Sequence, residues 1–281
     1  MAVRPFTAPA RRRGRLSVRQ AVVLGLIQGP TEVMPVSSSG HLVLVPALLD
    51  WPYARLPADV RKAFEVALHT GAGLALAWLL REDVAECVRD PARTALLAAP
   101  AAAIALALED TIERKASDPR VAAMAMIVAG CALGATGVVP RKEGVTPRHP
   151  GDTGSARDAR GVDRLLVGAA QACALVPGVS RNGATLTAAR ALGFDREAAA
   201  RLSWQAGLPI IGGATVLKLV RLSQRGLDPR LRVPFAAGAA AAFASTLAAA
   251  PLLRVRHQRV IAAYRIALGA FALHRLEWPR G

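Results

Sequence analysis

A chain of 281 residues that is 53% hydrophobic and only 20% charged, with a mean hydropathy of +0.31, is too apolar for an ordinary soluble domain of its size and reads as a membrane body. Its net charge of +16 does not point to nucleic acid, because aromatic residues are only 4% and the arginines sit in short links between apolar segments. Three cysteines, Cys87, Cys131 and Cys173, are far apart and lack metal-ligand spacing, so they imply neither a metal site nor a disulfide framework.

Residues 1–19 carry Arg11, Arg12, Arg13, Arg15 and Arg19 without the apolar core of a removable leader, which predicts a retained basic tail ending in a helix cap at Ser17. Residues 28–41, QGPTEVMPVSSSGH, then place Gln28, Glu32, three serines and His41 between apolar runs. Such groups are costly to desolvate without partners, so they read first as a site. Gln28 and Glu32 share a helix face, Pro35 ends the helix at Met34, and Gly40 relaxes the turn into a second helix. Residues 50–59 predict an interfacial link anchored by Trp51 and Tyr53. The apolar segment 64–80 sets Glu65 and His69 on one face, either as an internal polar pair or as a contribution to the site of Glu32.

Residues 81–93 read as a short charged loop, and 95–108 as an apolar helix kinked at Pro100, with Glu109 and Asp110 at the interface. Residues 121–139 carry Gly130, Gly134 and Gly137, a face for close helix approach. The stretch 141–164 is rich in proline and glycine and predicts an exposed linker, with no chemistry on Asp152, Asp158 or Asp163. Beyond it come 162–176, the turn PGVSRNGAT at 177–185, and 186–192, with Asp195 placed to cap the next helix. Trp204, Gln205 and Pro209 are expected to interrupt the following apolar run, 208–220. The last two apolar segments are 233–253 and 260–273; Arg265 in the latter either snorkels to an interface or reaches an acidic partner inside. Several segments fall short of the roughly 20 residues of a perpendicular span, so some should extend into their flanks and others be re-entrant.

Gly168, Gln171, Ser180, Arg181 and Gly183 lie 143 positions after Gly25, Gln28, Ser37, Ser38 and Gly40, and Pro35 and Pro177 precede the two polar turns. This predicts an internal duplication, with 20–140 as first half, 141–164 as linker and 165–281 as second half of one membrane domain. Broken helices at matching positions of two halves are a membrane pattern in which the breaks share a binding site. The turns offer N–H groups, hydroxyls and helix N-termini to an anion, and Arg181 adds a fork for two phosphoryl oxygens. Glu32 fits a divalent cation bridging phosphate oxygens, or a proton acceptor. Phosphoryl hydrolysis is the favoured reading; a transporter (flippase) of a phosphorylated lipid needs nearly the same groups, and a noncatalytic scaffold is a distant third.

The combination of QGPTEVMPVSSSGH at 28–41 and PGVSRNGAT at 177–185 resembles the paired signatures of the bacterial undecaprenyl-diphosphate phosphatase, or bacitracin-resistance, family. FEVALHTG at 64–71 and AYR at 263–265 extend the likeness over nearly all the chain after the tail. The resemblance implies an all-α, polytopic inner-membrane enzyme with an inverted repeat and two re-entrant helical hairpins. It further implies a divalent cation, Mg2+ or Ca2+, and conversion of undecaprenyl diphosphate to undecaprenyl phosphate for envelope synthesis. Its partners are then the polyprenyl diphosphate lipid and the bilayer, with a homodimer among the assemblies the sequence admits. Carried over by position, Glu32, Ser38, His41 and Arg181 are the catalytic candidates. Gln28, Ser37, Ser39, Ser180, Asn182, Gly183 and Thr185 are the substrate-binding ones. Glu32 is the metal candidate, with Glu65 placed to complete it because Gln28 stands where some members have glutamate. His69 stands where some have glutamine. Ser38 and His41, three apart, are both candidates for attack on phosphorus, and His41 is favoured as the proton-handling group.

Overall fold

The computed structural model describes residues 14–115, 118–138, 159–225, 228–254 and 257–277. The tail through Arg13 and the expectations at Asp152 and Asp158 lie outside the described residues, as do the side chains of Glu109 and Asp110. Every described element is helical: α1 Val18–Val33, α2 Ser38–Leu48, α3 Ala58–Leu79, α4 Arg81–Arg89, α5 Pro91–Lys115, α6 Pro119–Val138, α7 Gly161–Ala170, α8 Arg181–Ala191, α9 Arg196–Arg225, α10 Pro229–Ala248 and α11 Gln258–Glu277. Short 3-10 turns cover Pro52–Arg55, Gln171–Leu175 and Ala250–Arg254.

Local chemistry sets the boundaries. Ser17 Oγ accepts the Gln20 N–H at 3.2 Å while the Ser17 N–H reaches back to Gln20 Oε1, a reciprocal cap that starts α1. The helix stops at Met34, held extended (ψ 151°) by the proline that follows. Asp195 caps α9 through the Glu197 and Ala198 N–H groups, both at 2.8 Å. The apolar segments extend into their flanks as expected: 64–80 becomes α3, 95–108 becomes α5 and 208–220 becomes α9.

Four expectations need correction. Residues 81–89 are helix, not loop: Glu82 and Asp83 occupy the first turn and Arg89 the last, which suits the helix dipole, and α4 leaves α3 at 85°. Residues 161–164, assigned to the linker, already belong to α7, whose first turn is closed by Asp163 accepting the Arg160 N–H at 3.1 Å. Trp204, Gln205 and Pro209 do not interrupt α9, because Trp204 and Gln205 are buried against neighbouring helices and an apolar helix tolerates one proline when its surroundings re-satisfy the backbone. Tyr53 is not an interfacial anchor; it is buried edge-on against Phe64 at 5.7 Å.

Small residues let the helices meet closely. α1 runs along α10 with Gly25 against Gly238 and Gly29 against Ser245, and α7 runs along α5 with Gly168 against the Leu96 and Leu97 carbonyls. Gly130 of α6 lies against Ala262 and Arg265 of α11. The chain before α1 returns to the chain after α2, where Gly14 touches Pro52 and Leu56. Ala159 before α7 and Phe194 after α8 share one buried cluster with Leu97 and Val167. Among the described residues, 119–136 of α6 and all of α10 are each long and apolar enough to cross a membrane, and α3 with α4 forms a third, bent candidate.

Candidate active site

Each polar turn is built the same way. Ser37 and Ser180 have left-handed backbones, φ 74° and 67°, and each side chain accepts the N–H three residues on, from Gly40 at 3.2 Å and Gly183 at 3.1 Å. A non-glycine residue in that region costs about 1–3 kcal/mol and persists only where its surroundings impose it. The consequence is that Ser38 and Arg181, the first residues of α2 and α8, are aimed from two breaks into one space.

They meet on Glu32. Ser38 Oγ donates to Glu32 Oε2 at 2.6 Å, and Arg181 Nη2 donates to Oε1 at 2.9 Å. Gln28 Nε2 donates to Oε2 at 3.2 Å, one turn back on α1. His69 brings Nε2 to 3.6 Å of the same oxygen, its Nδ1 donating to the Glu65 carbonyl at 2.8 Å, so α3 contributes to this site. A carboxylate 8% exposed thus has its charge balanced by a guanidinium and its lone pairs met by neutral donors. The second guanidinium nitrogen, Arg181 Nη1, is buried without a hydrogen-bond partner among the described residues and is pressed against Gly207 of α9.

These groups open into a cavity of about 570 Å3. Glu32, Ser38, Ser39, Glu65, His69, Gln171, Ser180, Arg181 and Asn182 line its polar end. Its other walls are apolar, Ala98, Ala101, Ala102 and Ala105 of α5 facing Ile210, Ala214 and Leu217 of α9. Among the described residues no group of three or more His, Cys, Asp or Glu side chains is arranged to hold a metal; Glu32 and Glu65 are the two carboxylates in the cavity.

Other expected site residues stand behind this wall. His41 does not face Ser38: its Nδ1 donates to the Ser37 carbonyl at 2.7 Å and its Nε2 meets the Tyr264 hydroxyl at 2.7 Å, the two rings stacked 8° from parallel. An imidazole four residues after a carbonyl on its own helix turn reaches it directly, which draws the ring toward α11 and away from the cavity. Ser37 and the Gly183 N–H are used within their caps. Thr185, fully buried, bonds Ser203 Oγ at 2.6 Å and the Arg181 carbonyl at 2.9 Å. Asn182 reaches the cavity while its Nδ2 donates to the Val33 carbonyl at 3.2 Å and its Oδ1 accepts from Ser203 at 2.7 Å.

Arg265 fits neither expectation made for it. It is fully buried and has no acidic partner among the described residues; its guanidinium donates to the carbonyls of Pro35 at 2.9 Å, Gly178 at 2.8 Å and Val179 at 2.7 Å. Gly207 and Ser203 were not legible beforehand, being a glycine and a serine in a stretch with no other motif. The sequence did carry a signal for Tyr264 and Arg265, a polar pair inside an apolar helix.

The sequence model of the family described as Bacitracin resistance protein BacA matches residues 21–271. Similar curated proteins include an Undecaprenyl-diphosphatase of Trichlorobacter lovleyi, 36% identical over 90% of this chain and 95% of its own length. Another, of Thermomicrobium roseum, is 38% identical over 94% of this chain and all of its own. An Undecaprenyl-diphosphatase 1 of Rhodospirillum rubrum is 38% identical over 90% and 93%.

Proposed function

Because the chain belongs to the bacitracin-resistance family of undecaprenyl-diphosphatases and lies in the bacterial inner membrane, we propose that it removes the terminal phosphate of undecaprenyl diphosphate, giving undecaprenyl phosphate and inorganic phosphate. The observation that carries this reading is the convergence of Ser38 Oγ and Arg181 Nη2 on the two oxygens of Glu32 at the head of an apolar-walled cavity.

In this reading the diphosphate enters the polar end and the isoprenoid lies along the alanine-lined wall between α5 and α9. Arg181 turns its fork to the terminal phosphoryl oxygens, which would give Nη1, without a hydrogen-bond partner among the described residues, an acceptor. Glu32 Oε2 accepts the Ser38 proton as Oγ bonds to the terminal phosphorus, and the bond from that phosphorus to the bridging oxygen breaks, releasing the lipid monophosphate. Glu32 passes that proton to the departing bridging oxygen and, ionised again, takes a proton from water as the water oxygen bonds to phosphorus; the Oγ–P bond breaks, Oγ regains the proton from Glu32, and inorganic phosphate is freed. His41 takes no part in proton transfer here, since both of its ring nitrogens are engaged away from the cavity.

Mg2+ or Ca2+ fits this donor set as an ion held mostly by substrate phosphates with one or two protein carboxylates, Glu32 and Glu65, and it would neutralise phosphoryl charge when bound. We also read α1 to α6 and α7 to α11 as an inverted repeat, with α1–α2 and α7–α8 as re-entrant hairpins. The matched serine caps, the matched glycine contacts of Gly25 and Gly168, and the return of each hairpin to its starting end support it.

Purified protein in detergent, given undecaprenyl diphosphate and quenched in acid, should release phosphate and carry a phosphoryl group on Ser38 by intact-protein and peptide mass spectrometry. A phosphoryl group on His41, or full turnover by Ser38→Ala, would refute the serine route. Lipid movement without phosphate release would refute the phosphatase reading itself.

A further inference from the structure

The two breaks that aim Ser38 and Arg181 are strained, and the serine cap that each makes within its own hairpin leaves the carbonyls before it to be met from elsewhere. Of the carbonyls flanking the left-handed serines, Pro35 lies two residues before Ser37, and Gly178 and Val179 are the two residues immediately before Ser180. All three accept from the single guanidinium of Arg265. The carbonyl of Ser37 itself accepts from His41 Nδ1, and that ring is fixed on its other side by the stacked Tyr264 hydroxyl. Two consecutive residues of α11, a helix outside both hairpins, therefore fix both turns from behind.

We propose that Tyr264 and Arg265 are positioning residues that hold the two breaks in register, so that Ser38 and Arg181 arrive together on Glu32; the catalytic part of this inference rests on the phosphatase reading. Arginine suits the task because one planar fork can donate in several fixed directions at once, and a buried guanidinium surrounded by carbonyls needs no counter-ion at hydrogen-bond distance to be solvated. Close approach is also provided for: Gly183 leaves the space into which Nη1 fits, since a Cβ there would lie 2.6 Å from it. His41 is on this account a relay of position between Tyr264 and the first break.

Two variants separate the arms. Arg265→Lys keeps the charge but cannot reach three carbonyls, and should raise amide exchange in both 34–41 and 176–185 by about tenfold while α3 and α10 exchange as before. Tyr264→Phe keeps the stacking and loses only the hydroxyl, and should raise exchange in 34–41 alone. With undecaprenyl diphosphate as substrate, Arg265→Lys should lower kcat by about 10²-fold with KM little changed, as for a reacting group misplaced by about an ångström. Exogenous guanidinium should restore part of that turnover in Arg265→Ala. Unchanged exchange in both segments, exchange rising equally throughout the fold, or a kcat for Arg265→Lys within twofold of the parent would overturn the proposal. Absence of phosphate release by the parent protein would count against the phosphatase reading alone, leaving the exchange comparison to decide whether α11 holds the breaks.

Discussion

Replacing Gly207 by alanine adds one methyl group at a place where the site has no room for it. An ideal Cβ there would overlap Arg181 Nη1 and lie 2.7 Å from its Cζ, whereas a comfortable carbon contact needs about 3.5 Å. The struck atoms are the end of a flexible side chain, so the guanidinium moves and the backbone does not. Alanine is also the better helix former by roughly 1 kcal/mol, so α9 itself gains slightly. The outcome is a folded protein whose Arg181 is withdrawn from Glu32 Oε1, now 2.9 Å away, and from any phosphoryl oxygen beside it. A misplacement of about 1 Å at a reacting centre costs about 10²-fold in rate. That is about 2.7 kcal/mol of transition-state stabilisation. The assay is kcat for phosphate release from undecaprenyl diphosphate in micelles, run beside thermal unfolding. Gly212→Ala is the control: it lies on the same helix, and a Cβ there meets nothing within 4 Å. Turnover by Gly207→Ala within threefold of Gly212→Ala, with both proteins folded, would refute the claim that this glycine sets the position of Arg181.

Three other predictions follow from the same contacts. Arg181→Lys keeps a charge but loses the fork and should cost about 10²–10³-fold in turnover with insertion and folding intact, checked by phosphate release and size-exclusion elution. Glu32→Gln removes the acceptor of Ser38 and the partner of Arg181; turnover should fall by about 10²–10⁴-fold and its residual activation by Mg2+ should weaken, so an unchanged Mg2+ titration would remove Glu32 from the metal set. Gly29→Ala, in contrast to Gly207→Ala, drives a Cβ into the backbone of Ser245 and Thr246, so α1 and α10 must part; the cost should be about 1–3 kcal/mol, seen as a lower unfolding temperature.

How much of this was legible beforehand depended on whether a residue's role was local. The breaks were readable because prolines, glycines and serine caps act within a few residues, and so Pro35, Ser37, Ser180 and Gly183 mark both turns. Glu32 and Arg181 were readable because charge in an apolar setting demands a partner, although which partner each would take was not. The direction of the His41 ring was not readable because spacing along one helix places Ser38 and His41 near each other, while Tyr264, 223 residues away, meets the ring on its far side. Arg265 was misjudged for a related reason: water and carboxylates are the usual partners of an arginine, but the bare carbonyls of two broken helices exist only once the breaks are brought together. α4 was hidden by its charge, which reads as loop until the neighbouring α9 supplies Arg201 to Asp83 and Glu86.

The proposed repeat explains why one site arises from two turns. Wherever the copies agree, the residues make the frame: Ser37 and Ser180 cap, Gly25 and Gly168 admit a neighbouring helix, and Gln28 and Gln171 each spend their amide N–H on a nearby oxygen. At two slots where they differ, the groups of the proposed chemistry appear. The counterpart of Glu32 is Leu175, which lines the same cavity as part of its apolar wall, and the counterpart of Ser38 is Arg181. A symmetric pair of serines would supply no positive charge for a phosphoryl group, and a symmetric pair of arginines no hydroxyl to attack it. Two carboxylates would leave one buried without a cation. Divergence at these two slots lets a hydroxyl and a guanidinium reach the same carboxylate from opposite breaks, each at the start of a helix whose dipole favours an anion in front of it. The frame must hold that meeting point against the strain of its own serines, which is why an element belonging to neither hairpin, α11, carries the residues that fix both.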